Sequence, residues 1–437
     1  MIHASTSTPP RVAMSGLGAA RGGVPLWLPL PFLLAGATGA AIFGLLLPLV
    51  TPLALIAYNE PHVLALVHIA TLGWLTMIIM GASMQLAPVI LLTPLRAARL
   101  ARAQFPIYLT GVILLVSGFW FQRTPLLIVG GSIVVAAVAH YVVIMAATLW
   151  RATSRPLTAW YLTASICYLS AVVSLGLTMA LNLQFGFLSA PLARLLLAHI
   201  TLGVVGWLTC TLVGVSYTLI RMFALVHEHD DILGRRIFAL LNIGTVGMAL
   251  CAGFGWRPLE PLFGCALVCG VWTYGYDVWR MMKLRRRRSL EVTQWHTFAA
   301  VSCLCLVLSL GVCALLFGWR GAGVSTALAL TAFVGWLGQS TVGYLYKIVP
   351  FLTWQSRYAP LVGKTKIPLM RDLIHERWAR ASFWLMNGGL LVAVLCALQS
   401  WRGPLQLASA AIGVGLALAL ANVVGAVLPK RLIPRGQ

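Results

Sequence analysis

The dipeptide Gly-Trp opens the same phrase three times. Gly73-Trp74 is followed by Gly81, Met84 and Pro88, Gly206-Trp207 by Gly214, Tyr217 and Arg221, and Gly335-Trp336 by Gly343, Tyr346 and Pro350. In each copy the glycine comes seven residues after the tryptophan, the Met or Tyr ten after, and the Pro or Arg fourteen after. The tryptophans stand 133 and 129 residues apart, far beyond the roughly 20–50-residue period of solenoid repeats. A block of that length holds four membrane helices, and internal repeats of this kind are common in membrane proteins.

Of the 437 residues, 60% are apolar and 9% charged. Apolar stretches of about 18 residues or more, each able to cross a bilayer, recur along the chain. The expected fold is an all-α polytopic membrane protein with about twelve transmembrane helices. They fall at 26–56, 61–92, 105–122, 124–150, 157–186, 190–223, 236–255, 258–283, 294–319, 324–353, 378–400 and 404–428. Four spans per block make helices 2, 6 and 10 equivalent, which predicts three four-helix arcs around a pseudo-threefold axis. The arcs cover about 25–152, 153–284 and 290–428 of a single transmembrane domain, 25–428. Residues 1–24 read as a disordered arm rather than a signal peptide, because the apolar stretch after them is too long. Residues 429–437 form a tail.

The net charge of +22 is a topology signal and not a nucleic-acid footprint. All but five of the 31 Lys and Arg fall on one side of the expected bundle, the exceptions being Arg123, Arg194, Arg257, Arg320 and Arg402. By the positive-inside rule both termini are cytoplasmic. The nine cysteines are scattered through apolar spans without zinc-site spacing and read as small packing residues.

Titratable groups inside a bilayer are costly and mark function. All nine acidic residues lie at or near span ends or in loops. A proton pump or proton-coupled transporter needs a carboxylate at depth, so both classes are disfavoured. His68 and His199 differ from the other histidines in occupying repeated positions, six and eight residues before their tryptophans. An α-helix turns about 200° in two residues, so the two offsets select opposite faces of equivalent helices. Neighbouring arcs need that pairing to place imidazoles on both sides of one planar cofactor. The offset does not say whether the two faces turn towards each other or apart: towards, a bis-imidazole haem b is the expected occupant, with copper a weaker alternative; apart, each histidine hydrogen-bonds a neighbouring helix. Arg257, Arg320 and Arg402, each in a Trp-Arg pair at the outer surface, are candidates for the haem carboxylates. The same pairs serve equally well as interfacial anchors. Met77, Met80 and Met84 lie at helical spacing, which is more often packing than a soft-metal ladder.

The stretches LVHIATLGWLTMIIMGASMQLAPVI at 66–90 and LAHITLGVVGWLTCTLVGVSYTLIRMF at 197–223 resemble subunit I of the haem–copper oxidase superfamily. Within it the chain is most similar to small, divergent bacterial proteins of the cbb3-type subunit I kind, and more distantly to NnrS-like membrane haem proteins. The resemblance implies the bacterial cytoplasmic membrane as location. It also implies respiratory or haem- and copper-handling membrane subunits as partners, beside the bilayer itself. Helix 10, however, has Leu328 and Leu330 at the two repeated offsets and no histidine, and helix 7 has none either. The oxidase low-spin haem, high-spin haem and copper sites are therefore incomplete, and oxygen reduction at a binuclear centre is not expected. Three functions follow from the residues: a non-pumping b-type haem protein in electron transfer or in haem, copper or nitric-oxide handling; a cofactor-free assembly or partner subunit; and a metal or small-solute transporter.

Overall fold

The computed structural model describes residues 24–96, 98–226, 228–286, 289–319, 321–430 and 433–434. Twelve long helices run through these residues. They are α1 (Pro29–Ala54), α2 (Pro61–Ile90), α3 (Ala98–Trp120), α4 (Thr124–Trp150), α5 (Leu157–Phe185), α6 (Leu192–Ala224), α7 (Ile232–Phe254), α8 (Glu260–Lys283), α9 (Val292–Leu316), α10 (Ala322–Leu361), α11 (Glu376–Leu398) and α12 (Arg402–Val427). The only β pairing among the described residues joins Thr365–Lys366 to Ile433–Pro434.

Eleven of the twelve are long and apolar enough to cross a membrane, which makes the chain a multi-pass membrane protein by length and composition. The exception is α8. Its 24 residues suffice in length, but Trp272, Thr273, Tyr274, Tyr276 and Asp277 dilute the apolarity of its second half. The N-terminal arm through residue 23, most of the tail and Arg320 lie outside the described residues.

Consecutive helices pack as antiparallel neighbours, α3 on α4, α4 on α5, α7 on α8, α8 on α9 and α11 on α12. The last helix also packs along the first. There Gly413 meets Gly44 so closely that a Cβ on Gly413 would lie 2.4 Å from the Gly44 carbonyl oxygen. The helices that carry the repeat are the most buried, at 67% for α2, 56% for α6 and 61% for α10. Each is interrupted by a π-helical stretch, Ile69–Thr76, Thr201–Thr209 and Thr331–Gly338, and all three Gly-Trp dipeptides lie inside these stretches.

The second glycine of each phrase seats a ring from the helix before it. Phe32 lies on Gly81, Tyr161 on Gly214 and His296 on Gly343, each so close that a Cβ would fall within 2.2–2.7 Å of the partner's own Cβ. Gly73 differs, because a Cβ there would meet only Val112, at 3.8 Å. Its carbonyl is instead where Gly39 of α1 makes its close approach.

Candidate functional site

Helix α2 begins on a firm cap. Glu60 accepts hydrogen bonds from the backbone N–H groups of His62 and Val63, and Pro61 takes the first helical position, where its missing N–H costs nothing. His68 is the last residue before the π stretch. Its Nδ1 lies 2.7 Å from the Leu64 carbonyl oxygen. A carbonyl only accepts, so Nδ1 carries the proton and Nε2 presents a bare lone pair. Phe119 of α3 stacks on the ring at 4.7 Å and 26°, which fixes its plane.

His199 stands on α6, two residues before the second π stretch. Its ring lies beside the Val172 carbonyl of α5 and against Gly176, where a Cβ would come 2.9 Å from Cε1. Glycine at 176 is what makes room for the imidazole. The buried Nδ1 has no hydrogen-bond partner of ordinary geometry. Both histidines are half-buried.

What links their helices is a tryptophan. The Trp207 indole N–H donates to the Thr76 hydroxyl at 2.8 Å, tying α6 to α2. Thr76 comes eight residues after His68, and Trp207 eight after His199. The bond therefore joins the two helices at the same sequence distance past each histidine. Trp336 repeats the bond to Thr209 at 2.9 Å. The third link of this cycle would run from Trp74 to position 338, which is glycine. The Trp74 Nε1 is buried without a partner, and the edge of its benzo ring occupies the space beside Gly338. All three indoles are at most 3% exposed.

Most of the interval between histidine and tryptophan is π-helical, with i→i+5 pairing and more residues per turn than an α-helix, so two residues there make slightly less than half a turn where α-helical pitch makes slightly more. Of the outer arginines, Arg257 opens a short 3₁₀ turn between α7 and α8 and Arg402 begins α12; both are exposed, and neither hydrogen-bonds a histidine among the described residues. Arg194 is nearer in the fold, on the same helix as His199 and with its guanidinium against Gly255. Met77, Met80 and Met84 are fully buried core residues.

Phe119, Gly176, Thr76 and Thr209 were not legible as site residues. Only the threonines had a signal, standing two residues after Trp74 and Trp207. A second polar cluster was also hidden. Asp277 is close to the end of α8, as expected of the acids, yet its side chain is fully buried. It accepts from the Tyr217 hydroxyl at 3.0 Å and from Nε2 of His229 at 2.9 Å, with Arg280 at 3.6 Å. Arg221 donates to the other nitrogen of His229 at 3.1 Å and pairs with Asp231. The loop after α6 folds back and buries a histidine that the sequence places outside the bundle.

No group of three or more His, Cys, Asp or Glu that could hold a bare metal ion occurs among the described residues. No protein-family model and no curated protein matches the chain.

Proposed function

We propose that the chain is a non-pumping membrane b-type haem protein, related to subunit I of the haem–copper oxidases, with His68 and His199 as axial ligands. The observation that carries this reading is the Trp207–Thr76 bond, which joins the two histidine-bearing helices eight residues past each histidine, beside a His68 Nδ1 engaged by the Leu64 carbonyl and a His199 Nδ1 without a hydrogen-bond partner. Two imidazoles are too few for a bare ion. They suffice for a macrocycle that brings four nitrogens of its own. Haem would supply a one-electron iron couple there. The chain's part is orientation: the Leu64 carbonyl fixes the His68 tautomer, Phe119 its plane, and Gly176 leaves space for His199. Ligation from both sides favours electron transfer over ligand chemistry.

In this reading α1–α12 are twelve spans in three four-helix arcs, with α2, α6 and α10 about a pseudo-threefold axis. The two indole bonds from one repeated helix to the next support that arrangement. Both termini face the cytoplasm of a bacterium, and Arg257, Arg320 and Arg402, together with Arg194, are the residues that would bind the haem carboxylates. Partner subunits would be respiratory or haem- and copper-handling membrane proteins. A second reading, a cofactor-free scaffold on the same fold, is favoured by the tightness of the core, since the gap beside Phe223 and Tyr344 and the gap beside Ala37 and Trp74 each have room for no more than about one water.

An optical spectrum of detergent-purified protein from haem-replete cells decides between them. Sharp α and β bands after dithionite reduction, at near-stoichiometric haem, are expected, together with loss of haem in both His68→Ala and His199→Ala. A colourless preparation that takes up no added haem, or unchanged haem in both variants, overturns the proposal.

A further inference from the structure

Six basic residues close α8 and open the connection behind it: Arg280, Lys283 and Arg285–Arg288. The acids nearby are already engaged. Asp277 accepts from His229 and faces Arg280, Asp230 also faces Arg280, and Glu291 pairs with Lys347. Lys283 and Arg286 are exposed and meet no carboxylate among the described residues. Clusters of about four to eight Lys and Arg directly at the end of a membrane helix attract anionic lipid.

An aromatic stripe leads away from these cations. Trp272, Tyr276 and Trp279 stand at helical spacing on one face of α8, and all three are exposed. Each is held in place. Trp272 donates its indole N–H to the Ser309 hydroxyl of α9 at 3.0 Å, Tyr276 stacks on Trp279 at 5.7 Å, and the Lys283 ammonium lies 3.7 Å over the Trp279 ring. The helix packs along α7 and α9, both long and apolar enough to cross a membrane, so the exposed stripe faces lipid beside them. From Trp272 to Lys283 the helix rises about 16 Å, close to the ~15 Å of hydrocarbon in one leaflet. Belt aromatics sit at headgroup level, whereas Trp272 lies a leaflet's depth away from the cations and gives its hydrogen bond to protein.

We infer that this face of α8 binds one anionic phospholipid, its phosphate on Lys283 and Arg286 and an acyl chain along Trp279, Tyr276 and Trp272. Charge complementarity selects the headgroup, and the match of stripe to leaflet selects a lipid over a free phosphate. The inference uses the placement of α7, α8 and α9 in a bilayer and nothing of the haem reading.

Phosphatidylglycerol is the probe, with phosphatidylcholine as its zwitterionic counterpart. Native mass spectrometry of the detergent-purified protein, titrated with each lipid, reads how many molecules are held and how tightly. One phosphatidylglycerol held more tightly than phosphatidylcholine is expected. Each surface cation contributes about fivefold, so Lys283→Gln/Arg286→Gln should weaken binding about thirtyfold. The charge-matched control Lys364→Gln/Lys366→Gln, in the exposed loop after α10, should leave it unchanged, and Trp272→Ala/Tyr276→Ala should weaken it. Equal affinity of wild-type protein for the two lipids overturns the inference even where a variant fails to fold. Equal weakening in the two charge variants also overturns it, as does displacement of the lipid by glycerol 3-phosphate, which carries the headgroup charge without a chain.

Discussion

The indole N–H of Trp207 reaches the Thr76 hydroxyl across 2.8 Å of buried space, and this bond sets the register of α6 on α2. Thr76→Val keeps the shape of the side chain and removes the acceptor, leaving a buried donor unsatisfied at a cost of about 1–3 kcal/mol. Thr209→Val should do the same to Trp336. Thermal unfolding in detergent is expected to show both variants less stable than wild type. If the haem reading holds, Thr76→Val alone should also weaken haem retention, because only it frees the helix that carries His68 from the one that carries His199.

Phe119→Leu tests the ring that fixes the plane of His68. In haem-loaded protein the expected outcome is retained haem with a broadened or shifted low-spin electron paramagnetic resonance signal. An unchanged signal would show that the Leu64 carbonyl alone orients the imidazole.

Gly214→Ala should be poorly tolerated, since its Cβ would fall 2.2 Å from the Tyr161 Cβ. Overpacking of this kind costs roughly 1–3 kcal/mol or more. Gly311→Ala on α9 is the control. Nothing lies within 4 Å of a Cβ there, and alanine favours the helix by about 1 kcal/mol. The melting temperature should fall in the first variant and hold or rise in the second.

Asp277→Asn removes the charge that faces Arg280 in a buried network and turns one of the two oxygens that accept from Tyr217 and His229 into an amide donor. Removing one partner of a buried pair typically costs about 3–5 kcal/mol. Limited proteolysis should show the loop after α6 cut faster in the variant, and equal cutting would place the network outside the loop's stability.

In that loop, Asp230 is held below the ordinary carboxylate range, first by the Ile232 backbone N–H and then by Arg280. A group whose folded pKa is depressed stabilises the fold above its unfolded pKa and loses that contribution as pH falls through the folded one. Cutting of the loop should therefore rise only below the ordinary carboxylate range, and Asp230→Asn should flatten that dependence.

The class of the fold and the special standing of α2, α6 and α10 were legible because apolarity and the Gly-Trp phrase are both written in residue types. Eleven of the expected spans recur as membrane-competent helices. The one that falls short does so through Trp, Thr and Tyr residues that the eye counts as compatible with a span. The site was legible only as far as its two histidines. Nothing in the residues around Gly73, Gly206 or Gly335 announces a π-helix. Phe119, Gly176 and Asp277 owe their positions to helices distant in sequence, and no local pattern marks them.

The meeting of Gly44 with Gly413 has a consequence for biosynthesis. The glycine face of α1 is completed only by α12, so α1 waits through synthesis of the ten helices between them with that face against lipid or a chaperone. A chain that stalls before α12 would carry an open seam, and quality control could recognise it there.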